Sequence, residues 1–135
     1  MTTSSRPVIA SAADRPRDGW DDPVRGRMSW FTLFSRDITP TDGLSAGLAE
    51  IEPGGGLNPH RHAQPEIYFV AEGSGIVTID GSETAVSAGA AVFIPGDALH
   101  GIRNVSGTPL RFFYCFAADT FSEIVYRFPE AVSGS

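Results

Sequence analysis

Glycine and proline cut this chain into short apolar segments, and that leaves little room for anything but β-structure. Fifteen glycines and ten prolines are spread through 135 residues. No helical pattern of roughly 10–15 residues lies between the segments, which disfavours a βαβ arrangement. Segments 29–35 (SWFTLFS), 44–51, 66–70 (EIYFV), 76–79, 83–86, 89–94, 100–105 and 110–116 read as strands, the first for its aromatic content and the others as short segments bounded by turn residues. Turn residues part them: Thr41-Asp42-Gly43, Pro53-Gly54-Gly55-Gly56, Gly73-Ser74-Gly75, Pro95-Gly96 and Ser106-Gly107-Thr108-Pro109. Asp80-Gly81 is a two-residue hairpin signal. Residues 119–125 are expected to cap and form one short helical turn. Short strands at regular spacing predict an all-β sandwich or barrel. It is expected to be a single domain over residues 20–135, preceded by a loose polar arm at 1–19.

Composition narrows the function. Hydrophobic residues make up 41% of the chain, enough for one core without disulfides. The net charge is −6 and the ten basic residues are scattered, so no nucleic-acid partner is expected. All ten are arginine, which excludes a lysine Schiff base. The single Cys115, in FFYCFA, cannot form an internal disulfide and reads as a small buried hydrophobe. A reducing cytoplasm fits that usage. Residues 1–19 hold no apolar signal-peptide core, and no stretch reaches the roughly 20 apolar residues of a membrane span.

The chemistry gathers in the histidines. There are three, His60, His62 and His100, with Glu66 four residues beyond His62. Imidazole and carboxylate are the usual ligands of a catalytic first-row metal. On a strand, residues two apart share a face, so His60 and His62 can enter a barrel together. The same parity puts Tyr68 on the face of Glu66. Arg103 falls on the opposite parity from His100, whereas Asn104 shares it and is a candidate to orient a ligand. Segment 66–70 is apolar on both faces apart from Glu66, which implies a covering layer or a partner subunit. A homodimer is therefore expected.

These residues carry a resemblance to the cupin superfamily. Its first motif is Gly, five residues, His-x-His, three or four residues, Glu, six residues, Gly; Gly54, His60, His62, Glu66 and Gly73 meet it. Its second is Gly, five residues, Pro-x-Gly, two residues, His, three residues, Asn; Gly89, Pro95, His100 and Asn104 meet it, with Asp97 where the motif has glycine. The resemblance implies a double-stranded β-helix barrel, a jelly roll, holding one divalent transition metal (Fe, Mn, Ni, Zn or Co). LSAGLAEIEPGGGLNPHRH, PEIYFVAEGSG, IPGDALHGIRN and FAADTFSEIVY are similar to a small single-domain cupin group that includes dimethylsulfoniopropionate lyases. That resemblance implies His60, His62, Glu66 and His100 as metal ligands, Tyr68 as a base, and Tyr126 as a second pocket tyrosine.

Each tyrosine has a plainer alternative: Tyr68 as a ligand-binding phenol, Tyr126 as lid or surface packing. Trp20, Trp30 and Phe31 read as core or dimer contacts, with stacking on a substrate cation as the alternative. The expected function is β-elimination from a small carboxylate. An Fe(II)-dependent dioxygenase, a non-catalytic ligand-binding cupin and a metal isomerase are the competing readings on the same scaffold.

Overall fold

The computed structural model describes residues 5–129. Ten strands form one antiparallel sheet: β1 (Arg17–Asp22), β2 (Gly26–Phe34), β3 (Ser45–Ile51), β4 (Gly56–His60), β5 (Glu66–Glu72), β6 (Ser74–Ile79), β7 (Ser82–Ser87), β8 (Ala91–Ile94), β9 (His100–Arg103) and β10 (Leu110–Phe116). The strand order is β7-β6-β9-β4-β2-β3-β10-β5-β8, with β1 paired to β2. Every pairing is antiparallel, and strands far apart in sequence lie side by side, as β10 does between β3 and β5. The sheet curls so that one face encloses the core, the usual way such folds limit exposed edges.

Strand parity decides which side chains enter. On β10, Leu110, Phe112, Tyr114 and Phe116 are buried, and on β5, Glu66, Tyr68 and Val70 are buried. The alternate residues Ile67 and Phe69 point outward. Cys115 does too, and it is half-buried on the outer face rather than within the core. Aliphatic side chains fill part of the interior, among them Ile51, Val70, Val77, Ile94, Ile102 and Leu110. The rest is aromatic and belongs to the site.

The turns explain the motif glycines. Gly73 has φ of +79°, and a Cβ there would stand 2.3 Å from the Pro109 carbonyl oxygen, so the position is closed to any side chain. Asp97, in place of the motif glycine, adopts φ of +65°. Aspartate is among the few residues that visit this region routinely. The turn is held by the Asp97 amide donating to the His62 carbonyl at 2.8 Å.

The N-terminal boundary differs from the composition-based expectation. β1 begins at Arg17, inside the arm expected to end at residue 19, and pairs with β2 over its whole length. Ahead of it, the Arg15 guanidinium donates to the carbonyls of Thr32 and Leu33, and the Arg6 amide donates to that of Pro40. A polar segment thus docks through backbone and guanidinium hydrogen bonds, which apolar periodicity does not reveal. Residues 1–4 of the expected arm and 130–135 of the expected domain lie outside the described residues. The short helical turn is a 3-10 helix, Phe121–Glu123, with a Thr120–Glu123 capping box. Among the described residues, no helix is long and apolar enough to cross a membrane.

Candidate metal centre

Antiparallel pairing brings the histidines together from distant parts of the chain. His60 ends β4 directly opposite His100 at the start of β9. His62 follows just beyond β4, and Glu66 opens β5. The three imidazoles are at most 1% exposed and the Glu66 side chain 4%. One ligand nitrogen from each ring falls within 4.8 Å of the others, a grouping that could hold a metal ion.

The rings are oriented by one repeated device. Nδ1 of His60, His62 and His100 lies 2.9 Å from the backbone carbonyl of Asn58, Gln64 and Ala98 respectively. A carbonyl only accepts, so each Nδ1 carries a proton, and Nε2 is the atom each ring can offer to a metal. His60 Nε2 is buried with no partner. The Nε2 atoms of His62 and His100 lie 3.1 and 3.2 Å from Oε1 of Glu66. Ring nitrogens this close to a buried carboxylate oxygen need positive charge between them, supplied by a ring proton or by a metal ion. Ligands about 2.1 Å from a common ion and at right angles stand roughly 3 Å apart, so the observed spacings suit a metal. The donor set, three imidazoles and a carboxylate, suits a divalent first-row ion. Burial, together with the neighbouring His100 and His62 rings, lowers the His60 pKa to about 3, against the opposing pull of the Asn58 carbonyl.

Glu66 also opens onto a small cavity lined mostly by aromatic side chains. Glu66 and Tyr68 line it from β5, Tyr114 and Phe116 from β10, Trp20 and Trp30 from β1 and β2. Tyr126 and Phe121 close it from the C-terminal segment. The Tyr126 ring stands 5.1 Å from that of His60 and 5.1 Å from that of Trp20. Its segment is fastened by paired backbone hydrogen bonds between Arg61 and Arg127 and by the Arg127–Asp97 ion pair. Burial first, then the Glu66 carboxylate, push the pKa of both Tyr68 and Tyr126 well above the ordinary phenol value.

One sequence expectation needs correction and one cavity residue has almost no signal in the sequence. Asn104 orients no ligand. Its amide donates to the carbonyls of Ile51 and Thr108, and its oxygen accepts from the Ser106 amide and hydroxyl, so its polar groups are spent on a turn. Trp20 packs against the core as expected and also lines the cavity, its ring 4.9 Å from that of Trp30. Tyr114 was not singled out. Its only sequence signal is shared parity with Phe112 and Phe116, and LRFFYCF is apolar on both parities. Arg103 faces outward as its parity requires and pairs with Glu83 at 2.7 Å.

The cupin-domain family profile matches residues 47–116, more than half of the chain. The chain is a cupin. A curated relative, the dimethylsulfoniopropionate lyase DddW of Ruegeria pomeroyi, is 47% identical over 124 residues, which cover 90% of this cupin and 80% of that protein. Among solved structures, the polyketide cyclase RemF of Streptomyces resistomycificus superposes with a TM-score of 0.79 at 21% identity, covering 95% of this chain and 89% of that one. A predicted oxalate decarboxylase of Thermotoga maritima gives a TM-score of 0.74 at 19% identity, covering 82% and 99%. At those identities the two structures establish the cupin fold alone.

Proposed function

We propose that this cupin is a metal-dependent lyase that removes a β-substituent from a small carboxylate, with dimethylsulfoniopropionate as its substrate. One observation carries the reading: 47% identity to a dimethylsulfoniopropionate lyase over 90% of the chain. The convergence of His60, His62, His100 and Glu66 beside an aromatic cavity supports it.

His60, His62, Glu66 and His100 would hold one divalent transition metal. Bound there, the ion supplies positive charge that binds the substrate carboxylate and acidifies the adjacent C–H. The reaction takes a proton from C2, and the electron pair forms the C2=C3 bond. The C3–S bond breaks, giving propenoate and neutral dimethyl sulfide. Tyr68, two residues beyond Glu66 on the same face of β5, is the base we assign. Its elevated pKa owes part of its rise to the Glu66 charge, and neutralising that charge with a cation favours the phenolate. Tyr126 lies over the His60 ring, excludes water, and holds a second phenol at the site. The aromatic walls suit a sulfonium, a soft cation.

Metal-loaded protein should release dimethyl sulfide from dimethylsulfoniopropionate equally well with and without oxygen, as read by headspace gas chromatography. Oxygen uptake with Fe(II) and no sulfide release would replace this reading with the dioxygenase.

We further assign a second copy of the chain to the outer sheet face. Phe69 and Phe113 are cross-strand neighbours there, as are Ile67 and Phe93, and these four are 36–66% exposed. Two copies of one apolar sheet face can pack about a two-fold axis. The protein is expected to elute from a sizing column as a dimer and the double variant Phe69→Glu/Phe93→Glu as a monomer. A monomeric parent protein removes the assignment.

A further inference from the structure

Three buried donors in the cavity wall have no hydrogen-bond partner among the described residues: the indole Nε1 of Trp30 and the hydroxyls of Tyr68 and Tyr114. Their residues are only 7, 1 and 6% exposed. Buried polar groups are nearly always paired, because an unpaired one forfeits its hydration without return. Three such groups among the residues lining one cavity mark a surface prepared for a ligand. Tyr68 has a role in the proposed reaction; Trp30 and Tyr114 have none.

The sheet makes room for this pair deliberately. On β3, Gly47 lies opposite Tyr114 of β10 and Ala49 lies opposite Trp30 of β2. These small residues let two large rings lie across the strand. A Cβ on Gly47 would fall 2.2 Å from the Tyr114 hydroxyl oxygen, so the phenol keeps its place only because residue 47 has no side chain. On the other side of β10, Tyr114 faces Tyr68. The indole N–H can only donate, and burial keeps the Tyr114 phenol protonated, with Thr32 only partly offsetting the rise in its pKa. Among the described residues, no arginine, asparagine or glutamine lines the cavity. What such a wall recognises is an acceptor with several lone pairs.

We propose that Trp30 and Tyr114 hydrogen-bond the carboxylate of the substrate, taking the oxygen turned away from the histidines. The choice of dimethylsulfoniopropionate as test substrate rests on the lyase reading; recognition of a small carboxylate does not.

The decisive variant is Tyr114→Phe, which removes one oxygen and keeps the ring. Its metal content should match that of the parent. Its melting temperature without substrate should be equal or higher, since an unsatisfied hydroxyl has gone. Its KM for dimethylsulfoniopropionate should rise roughly tenfold while kcat stays within about twofold. The dissociation constant for propionate, read by quenching of tryptophan fluorescence in metal-loaded protein, should rise by the same factor. Trp30→Phe should weaken propionate binding likewise, with a lower melting temperature from lost volume. A lower melting temperature for Tyr114→Phe with unchanged propionate binding would identify a structural hydroxyl and overturn the proposal. Failure of the parent protein to bind propionate would overturn it too. If the parent shows no lyase activity but Tyr114→Phe still weakens propionate binding, the lyase reading falls and this one stands.

Discussion

Stripping the metal from this cupin is expected to abolish turnover and to leave a protein that loses stability steeply in mild acid. Without an ion, the three imidazoles and Glu66 face one another in a space closed to water. Burial and the neighbouring rings place the His60 pKa at about 3 in the fold, against about 6.5 in an unfolded chain. Between those values the unfolded chain binds the proton and the fold does not. The contribution of neutral His60 is therefore fully present above about pH 6.5 and is lost as pH falls toward 3. For this one group the swing is on the order of 4–5 kcal/mol, a large share of the ~5–15 kcal/mol stability of a typical domain. A metal present at a thousand times its dissociation constant adds about 4 kcal/mol by binding only the fold. Melting curves at pH 7 and pH 4.5, before and after chelation, measure both effects. His62→Ala and Glu66→Gln should reproduce the loss of metal and activity at pH 7. Equal melting temperatures with and without metal at both pH values would contradict the assignment of this centre.

The second large effect is expected for Tyr68→Phe: a loss of 10²–10⁴ in kcat, the range for a positioned acid–base group, with full metal content. The substitution preserves the ring, which packs 4.7 Å from Phe112 and 6.3 Å from His100, so the fold has no reason to change. The hydroxyl has no protein partner to lose. Tyr126→Phe is the control, since it also keeps its ring over His60 but stands outside the β5 face that carries Glu66 and Tyr68; its loss should be smaller. Metal analysis and steady-state kinetics on the same preparations separate the cases. Activity falling only in proportion to metal would remove Tyr68 as the base, and a larger loss for Tyr126→Phe would transfer that role.

Much of this fold is legible in the chain itself. The turn residues and strand parity led to an all-β barrel because a two-residue period and a tight turn are local properties. Burial of Glu66 and Tyr68 on one face of β5, and exposure of Arg103, followed from the same alternation. The N-terminal strand was less legible. RDGWDD carries one apolar residue in six, and it becomes β1 because its backbone finds a partner in β2. Asn104 shares the parity of His100 yet serves a turn, because the chain leaves the β9 strand at Arg103 and parity ends with it.

Fold class, cupin family and the candidate metal ligands can all be read from the chain, since each is written in spacing along a strand or turn. What surrounds those ligands depends on how distant strands pack. Trp20, Trp30, Tyr114 and Tyr126 come from β1, β2, β10 and the C-terminal segment, and meet because the sheet curls and Gly47 leaves space. Cross-strand neighbours are chosen by curl and register over the whole sheet. In segments apolar on both faces, such as LRFFYCF, alternation does not say which side chains turn inward.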